Sequence, residues 1–528
     1  MPICPACQTA FEITDTDKAF YIKMDVPEPS HCPDCRLQRR MAFRNERTLY
    51  KRKCDFCGRE IASTIEGGTF PVYCMDCWWS DKWDPLAYGQ DIDWNRPFFD
   101  QFADLMARVP KSAFLQVGNE NCEYNALIGY SKNSYMCAGS HFVEDCIYCR
   151  KSQYSRDCVN SNLLDHCELT AVSTNSKNCY SCHHLINSRQ CVDSSYLADC
   201  ANLKNCFMCS GLVSKEFHFK NRPLTEEEYK KIKDAYAQKS EEEIMQEFLA
   251  FDLTIPKRYQ SQANCENSTG NYLYNSKNAI ECYDSIKIED SAYIVDSENV
   301  KDSMDLLCHD KDIERCYELS SGGDTNVNMK FSFYIVHCSD SAYLYGCFYL
   351  NDCFGCDGVH SHNKNLILNK KYDEVTYKNL KSRLTLHMKK TGEYGEFFPA
   401  RISIFGYNET LAMEAFPLTR EEALQKGFKW KDEPPKTYLP AGNGILACKK
   451  CGKNYKILPQ EAALNQKIGV APSPFCFECR HANLVALKNP KKLFDRTCAN
   501  CGQQIKTTYP PTSPYKVFCE SCYLKTIY

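Results

Sequence analysis

Written in rows of 21 from Gly118, the chain falls into columns. Cys137, Cys158, Cys179 and Cys200 share one, Ser131, Ser152, Ser173 and Ser194 another, and Cys122, Val143, Leu164, Leu185 and Cys206 a third. Occupied columns lie three residues apart or at multiples of three, and Asn or Asp often precedes the Cys or Ser. A β-solenoid requires such columns, because each coil stacks on the last at about 4.8 Å and equivalent side chains superpose inside. Cys and Ser suit a narrow interior. Asn and Asp suit corners, where they tolerate left-handed backbone angles. With no strict two-residue alternation, short strands broken by frequent corners are expected.

A second array runs from near Asn264 to Cys356. In it Asp284-Ser285, Asp290-Ser291, Asp296-Ser297 and Asp302-Ser303 recur every six residues, the stride of hexapeptide solenoids. The arrays end alike. Asn205-Cys-Phe-Met-Cys209 and Asp352-Cys-Phe-Gly-Cys356 lie 147 residues apart, and each runs into a helical pattern, from Leu224 and from Tyr372. Thr225 and Glu228 have capping-box spacing. These helices read as caps or spacers, since exposed solenoid ends must be covered.

Sixteen of the 36 cysteines sort differently. Cys4 and Cys7 precede Cys32 and Cys35, and Cys54 and Cys57 precede Cys74 and Cys77; the layout returns with Cys448, Cys451, Cys476 and Cys479, then Cys498, Cys501, Cys519 and Cys522. Two thiolates flanking a two-residue knuckle reach one ion, and a second knuckle completes a tetrahedron of sulfur at about 2.3 Å. Four quartets predict four zinc ions. With cysteine supplying every ligand the sites read as structural, with iron as the chemical alternative and a crossed pairing of knuckles left open. The remaining twenty cysteines, between residues 122 and 356, read as core ladder, because Leu, Val, Ser and Thr replace them within columns. A second metal system is the rival, since Cys146/Cys149, Cys179/Cys182, Cys206/Cys209 and Cys353/Cys356 repeat the knuckle spacing.

At 528 residues the chain is no miniature disulfide scaffold. It has neither a signal-peptide pattern at its start nor a run of membrane-span length, so a reducing cytoplasm is expected, where metal ligands and buried thiols outnumber disulfides. The net charge of -3 implies no overall attraction to nucleic acid, so such binding has to come from local patches.

The candidate patch is residues 36–53, RLQRRMAFRNERTLYKRK, with eight basic residues against one acid. Arg36, Arg39, Arg40, Arg44, Arg47, Lys51, Arg52 and Lys53 suit phosphate, and Phe43 and Tyr50 suit stacking on unpaired bases. Two alternatives stand beside this. A zinc tetrathiolate carries about -2, so the cations serve equally to neutralise clusters, or to meet a protein partner. The aromatic stretches 78–102 and 393–410 read as docking surfaces between ribbons and solenoid. His183-His184 and the pair His360, His362 read as surface or turn residues. No P-loop, G-x-G-x-x-G, G-x-S-x-G or H-E-x-x-H is present, and no catalytic residue, other cofactor or small-molecule substrate is identified.

The opening CPAC, the run HCPDCRLQRRMAFRNERTLYKRKCDFCG, the block WWSDKWDPLAYG, and FFPARISIFGYNET with FPLTREEALQKGFKW resemble a group of uncharacterised cysteine-rich zinc-ribbon proteins of candidate-phylum bacteria. The resemblance covers nearly the whole chain. Members sometimes carry a CaiB/BaiF-type CoA transferase label, for which no residue pattern is present.

The expected architecture is mainly β: a duplicated β-solenoid, coil about 21 residues, with helical caps, flanked by paired zinc ribbons. Its plan is ribbons 1–80, aromatic connector 81–117, first array 118–222, helical cap or spacer 223–258, second array 259–371, helical cap 372–392, connector 393–440 and second ribbons 441–528. The functional expectation is a non-enzymatic binding scaffold contacting RNA or a nucleoprotein through its ribbons, with no membrane partner. The alternatives are a protein adaptor using solenoid faces and connectors, and a thiol redox or metal-handling protein or solenoid enzyme.

Overall fold

The computed structural model describes residues 1–527 apart from 69, 115, 123, 308–310, 433–437 and 439–443. Cys308 and the 440/441 boundary therefore lie outside the described residues. Parallel strands pair Thr174 with Asn162, Leu185 with Leu197, Ile288 with Val300 and Ile335 with Cys347, so a coil of this β-solenoid advances 12 residues. The coil of 21 expected from the rows is corrected to 12. The unit is a three-residue side: four sides make a coil, and 21 aligns because it is seven of the same sides.

Backbone angles mark the corners. Asn133, Asp145, Asp157 and Asn178 hold φ between 48° and 52°, and each directly precedes an inward Ser or Cys. Asp284, Asp290, Asp296 and Asp302, two sides apart, hold φ between 47° and 57°. Leu127, Tyr130, Phe142 and Tyr154 also sit left-handed, at a cost of about 1–2 kcal/mol each for such side chains. Stacking offsets part of it. Tyr130, Phe142, Tyr154 and His166 lie one coil apart with successive ring centroids at 5.2, 4.9 and 4.8 Å.

The interior explains the choice of Cys and Ser. Cys149 Sγ donates to Ile147 O at 3.6 Å and to Cys158 O at 3.4 Å. Ser140 Oγ donates to Ala138 O at 3.1 Å and accepts the N–H of Ser152, one coil on, at 3.1 Å. The carbonyls reached here also accept ladder N–H groups, Ile147 O from Asn160, Cys158 O from Ile147 and Ala138 O from Lys151, whereas the inward Ser152 N–H is taken by the hydroxyl one coil back. The second array is more aliphatic, with Leu273, Ile288, Ile294, Val300, Leu306 and Ile313 in its core.

The chain divides into two compact units that exchange its ends. One combines Met1–Phe114 with Ser261–Asp432, so the first ribbons go with the second array; the other combines Leu115–Gln260 with Glu433–Tyr528. The two units are built alike. In the first, ribbon strand Val72–Tyr73 pairs in parallel with Lys111–Ser112, and Lys111 Nζ donates to Met106 O at 2.6 Å, to Val109 O at 2.9 Å and to Asp357. In the second, Val517–Phe518 pairs in parallel with Lys257–Arg258, and Lys257 Nζ reaches Asp252 at 2.6 Å and Asp199 at 2.8 Å. Both strands begin at the Lys of a Pro-Lys step, Pro110-Lys111 and Pro256-Lys257.

Helices Glu226–Tyr236 and Glu241–Asp252 bury Tyr229, Ile244 and Phe248 against Tyr196, Phe207 and Met208 of the first array. The Thr225–Glu228 capping box forms. His184, expected at the surface or in a turn, sits at a left-handed corner with φ 56° but is buried and stacks on Tyr196 at 4.4 Å. In the other unit His360 lies between Trp78 and Trp83, at 4.4 and 5.1 Å. Among the described residues no helix is long and apolar enough to cross a membrane.

Candidate metal centres and the basic segment

Each first knuckle closes on itself. The residue after its second cysteine turns left-handed, Gln8 at φ 60° and Gly58, Gly452 and Gly502 at 74–76°. Its N–H then bonds back to the first cysteine's carbonyl at 2.9 Å in all four. Glycine carries this turn without a Cβ penalty in three of them. The second knuckle sits where a helix begins: Cys32 and Cys476 occupy the N-cap positions of helices Pro33–Met41 and Phe477–Ala486, and Cys519 precedes Glu520–Ile527. The helix N-terminus places partial positive charge beside these sulfurs.

Four quartets result: Cys4, Cys7, Cys32, Cys35; Cys54, Cys57, Cys74, Cys77; Cys448, Cys451, Cys476, Cys479; and Cys498, Cys501, Cys519, Cys522, each with its Sγ atoms within 4.8 Å of one another. Adjacent knuckles pair, which resolves the crossed alternative. Sulfurs of facing knuckles are 3.7 Å apart for Cys7 and Cys32, 3.9 for Cys57 and Cys74, 3.6 for Cys451 and Cys476 and 3.7 for Cys501 and Cys519. A tetrahedron with bonds of about 2.3 Å has edges of about 3.8 Å. These groups can therefore hold metal ions. Burial raises the Cys54 thiol, but N–H donors from Cys57, Cys74 and Phe56 outweigh it and bring it down to about 7. Similar donors bring Cys448 and Cys498 down to about 6 against burial. Among the described residues these four are the only groups of this kind, and the solenoid cysteines add none.

The segment expected to meet nucleic acid turns inward. Arg36, Arg39, Arg40, Phe43 and Arg44 are all buried. Arg36 Nε donates to Asp305 at 2.8 Å and Arg40 Nη2 to the same carboxylate at 3.0 Å. Arg39 divides its guanidinium between Glu318 at 3.0 Å and Glu396 at 2.7 Å, and Arg44 pairs with Glu46. Burial raises the Glu396 carboxyl, but Arg39, His31 and Ser30 outweigh it and hold it well below the usual carboxylate range. Phe43 packs on Phe397 at 5.3 Å. Arg47 pairs with Glu414 at 2.5 Å, Tyr50 with Glu409, and Arg52 with Asp55 at 2.6 Å. Lys51 and Lys53 remain exposed. The expectation that these arginines face a phosphate backbone is thus corrected: helix Pro33–Met41 presents Arg36, Arg39 and Arg40 to Asp305 and Glu318 of the second array, and Arg44, Arg47 and Arg52 are paired with Glu46, Glu414 and Asp55.

The second ribbon pair repeats the arginine-over-tyrosine contact with a solenoid ring, with the carboxylate supplied from within the ribbon module. Arg480 follows Cys479 as Arg36 follows Cys35. It pairs with Glu461 at 2.6 Å and lies over the Tyr148 ring at 5.2 Å, as Arg36 lies over Tyr293 at 5.4 Å. Sequence reasoning missed Asp305, Glu318 and Glu396 as partners; the repeated Cys-x-x-Cys-Arg was the available signal for a docking role. No protein-family model matches the chain, and no curated protein matches it in sequence.

Proposed function

We propose that the chain is a non-enzymatic binding scaffold whose two ribbon pairs are held by four structural zinc ions. The observation that carries this is the donor set: sixteen thiols in four quartets, with facing sulfurs at 3.6–3.9 Å. All-thiol sites with tetrahedral edges suit zinc and leave no open position for water or substrate. A reducing compartment such as the cytoplasm suits the 35 described cysteines, all of which are free. On this reading the solenoid supplies a rigid body, the ribbons are the contacting modules, and the partner is RNA or a nucleoprotein. Elemental analysis of protein purified without added metal tests it. Close to four zinc per chain is expected; a count near zero, or iron in place of zinc, defeats it.

A further inference from the structure

Charge is distributed unequally between two modules of like construction. Residues 1–80 carry 11 Lys and Arg against 11 Asp and Glu, whereas residues 444–528 carry 13 against 4. Each module has two cysteine quartets. Loaded quartets carry about -2 apiece in both. Neutralising the clusters cannot explain the surplus in one, because the other holds the same clusters with no net basic charge.

The four acids of the C-terminal module have partners: Glu461 with Arg480, Glu478 with Lys453, Glu520 with Arg258 and, across a long 3.7 Å contact between two exposed side chains that leaves the lysine open to other anions, Asp495 with Lys506. Most of its lysines are turned outward. Lys449, Lys450, Lys456, Lys506, Lys516 and Lys525 are all exposed. Among the described residues Lys449, Lys456, Lys516 and Lys525 have no carboxylate at ion-pair distance, and Lys450 Nζ meets only the neutral Asn483, at 2.9 Å. The two arginines face inward, Arg480 to Glu461 and Arg496 to the carbonyls of Pro510 and Tyr515.

We infer that the C-terminal ribbon pair binds the phosphate backbone of a nucleic acid through these six lysines. The inference rests on the scaffold reading and names where its partner is met. Lysine point charges without an exposed arginine fork suit contact indifferent to sequence, not a bidentate grip on one carboxylate or phosphorylated side chain. They belong to both ribbons, Lys449, Lys450 and Lys456 to the first and Lys506, Lys516 and Lys525 to the second, a spread that suits a long polyanion better than one small anion. Among the described side chains of residues 444–526 only Leu446 and Leu524 are large exposed hydrophobics, too few to insert into a lipid surface.

The test uses the full metal-loaded chain and fluorescence anisotropy with a labelled 20-nucleotide oligouridylate, a DNA duplex of equal length, polyglutamate and anionic vesicles. Binding to the nucleic acids is expected at 50 mM salt. Six contacts to a single strand should weaken several-hundred-fold on going to 200 mM, from a slope of about -0.7 per contact. The difference between the RNA and duplex arms reports which source of phosphate is preferred. A variant combining Lys449→Gln, Lys456→Gln, Lys516→Gln and Lys525→Gln should bind at least tenfold more weakly with a shallower salt slope, at unchanged metal content and melting temperature. A Lys18→Gln, Lys51→Gln, Lys53→Gln control should bind like wild type. Undiminished binding by the four-lysine variant overturns this inference alone, whereas full metal content with no nucleic-acid binding, or with tighter binding to polyglutamate or vesicles, overturns it together with the RNA partner and leaves the zinc-held scaffold standing. A metal count short of four counts instead against the scaffold reading.

Discussion

Arg36 donates to Asp305 at 2.8 Å across 269 residues of chain, with both side chains almost fully shielded from water. The same carboxylate receives Arg40. One acid on the second array thus fixes the helix that begins at the first metal quartet, and metal centre and solenoid become parts of one packed body. A buried charge persists only where a partner repays its desolvation, so this contact is a structural commitment.

Asp305→Asn should accordingly be costly. It leaves Arg36 and Arg40 with Glu318 alone as counter-ion, at 4.0 and 3.6 Å and already shared with Arg39, and breaking a buried pair from one side costs about 3–5 kcal/mol. Denaturant unfolding followed by limited proteolysis should show early exposure of residues 1–114, while fragments from 115–260 keep wild-type resistance. Wild-type stability in the variant would mean that the arginine cluster does not hold the ribbons in place.

Loss of a single ligand should be local. Cys32→Ser is expected to lower the metal count from four to three, because a three-thiol remnant at this site lacks the closed tetrahedron. Since metal binding supplies folding energy in so small a module, the first ribbon should become protease-sensitive while β-sheet circular dichroism changes little. A retained fourth ion would show that the quartet is not the binding unit.

The quartets were legible because ligand spacing is local: two residues between thiols, one turn, one ion. The solenoid was legible because its columns repeat, yet coil length was misread, since rows of any multiple of three align and only hydrogen-bond register selects 12. Asn133 or Asp145 announced a corner, whereas Leu127 and Tyr130 take the same left-handed geometry with nothing in their chemistry to signal it. The arginines of residues 36–53 were visible as charge but not as buried charge. For Arg36, Arg39 and Arg40 the counter-ions Asp305, Glu318 and Glu396 lie hundreds of residues away, and composition does not say which ribbon docks on which array.

The core cysteines should behave as hydrogen-bonding packing groups. Cys158 Sγ donates to Arg156 O at 3.1 Å and Cys167 O at 3.5 Å, a role a hydroxyl can also fill. Cys158→Ala should cost about 1 kcal/mol for the lost bond and small void, and Cys158→Ser should cost less, both with metal content unchanged. Release of an ion by either variant would make the ladder a metal system.

The last prediction concerns acid. Glu247, on the helix covering the first array, accepts from Lys220 at 2.7 Å, from Lys239 at 2.9 Å and from the Tyr236 hydroxyl. Burial raises its carboxyl, but these three donors outweigh it and bring it down to about 2. A carboxyl depressed in the folded state stabilises above its unfolded value of about 4.3 and loses that contribution as pH falls through the folded value. Its side chain is 30% exposed, so solvent screening reduces the benefit to about 1 kcal/mol. Glu247→Gln should therefore be less stable than wild type by about that amount from pH 7 down to pH 5, and the gap should close progressively below about pH 4.3. Comparing the two proteins at each pH cancels the acid release of metal common to both. A gap that stays constant to pH 3 would mean that the glutamate acts through packing and not through its charge.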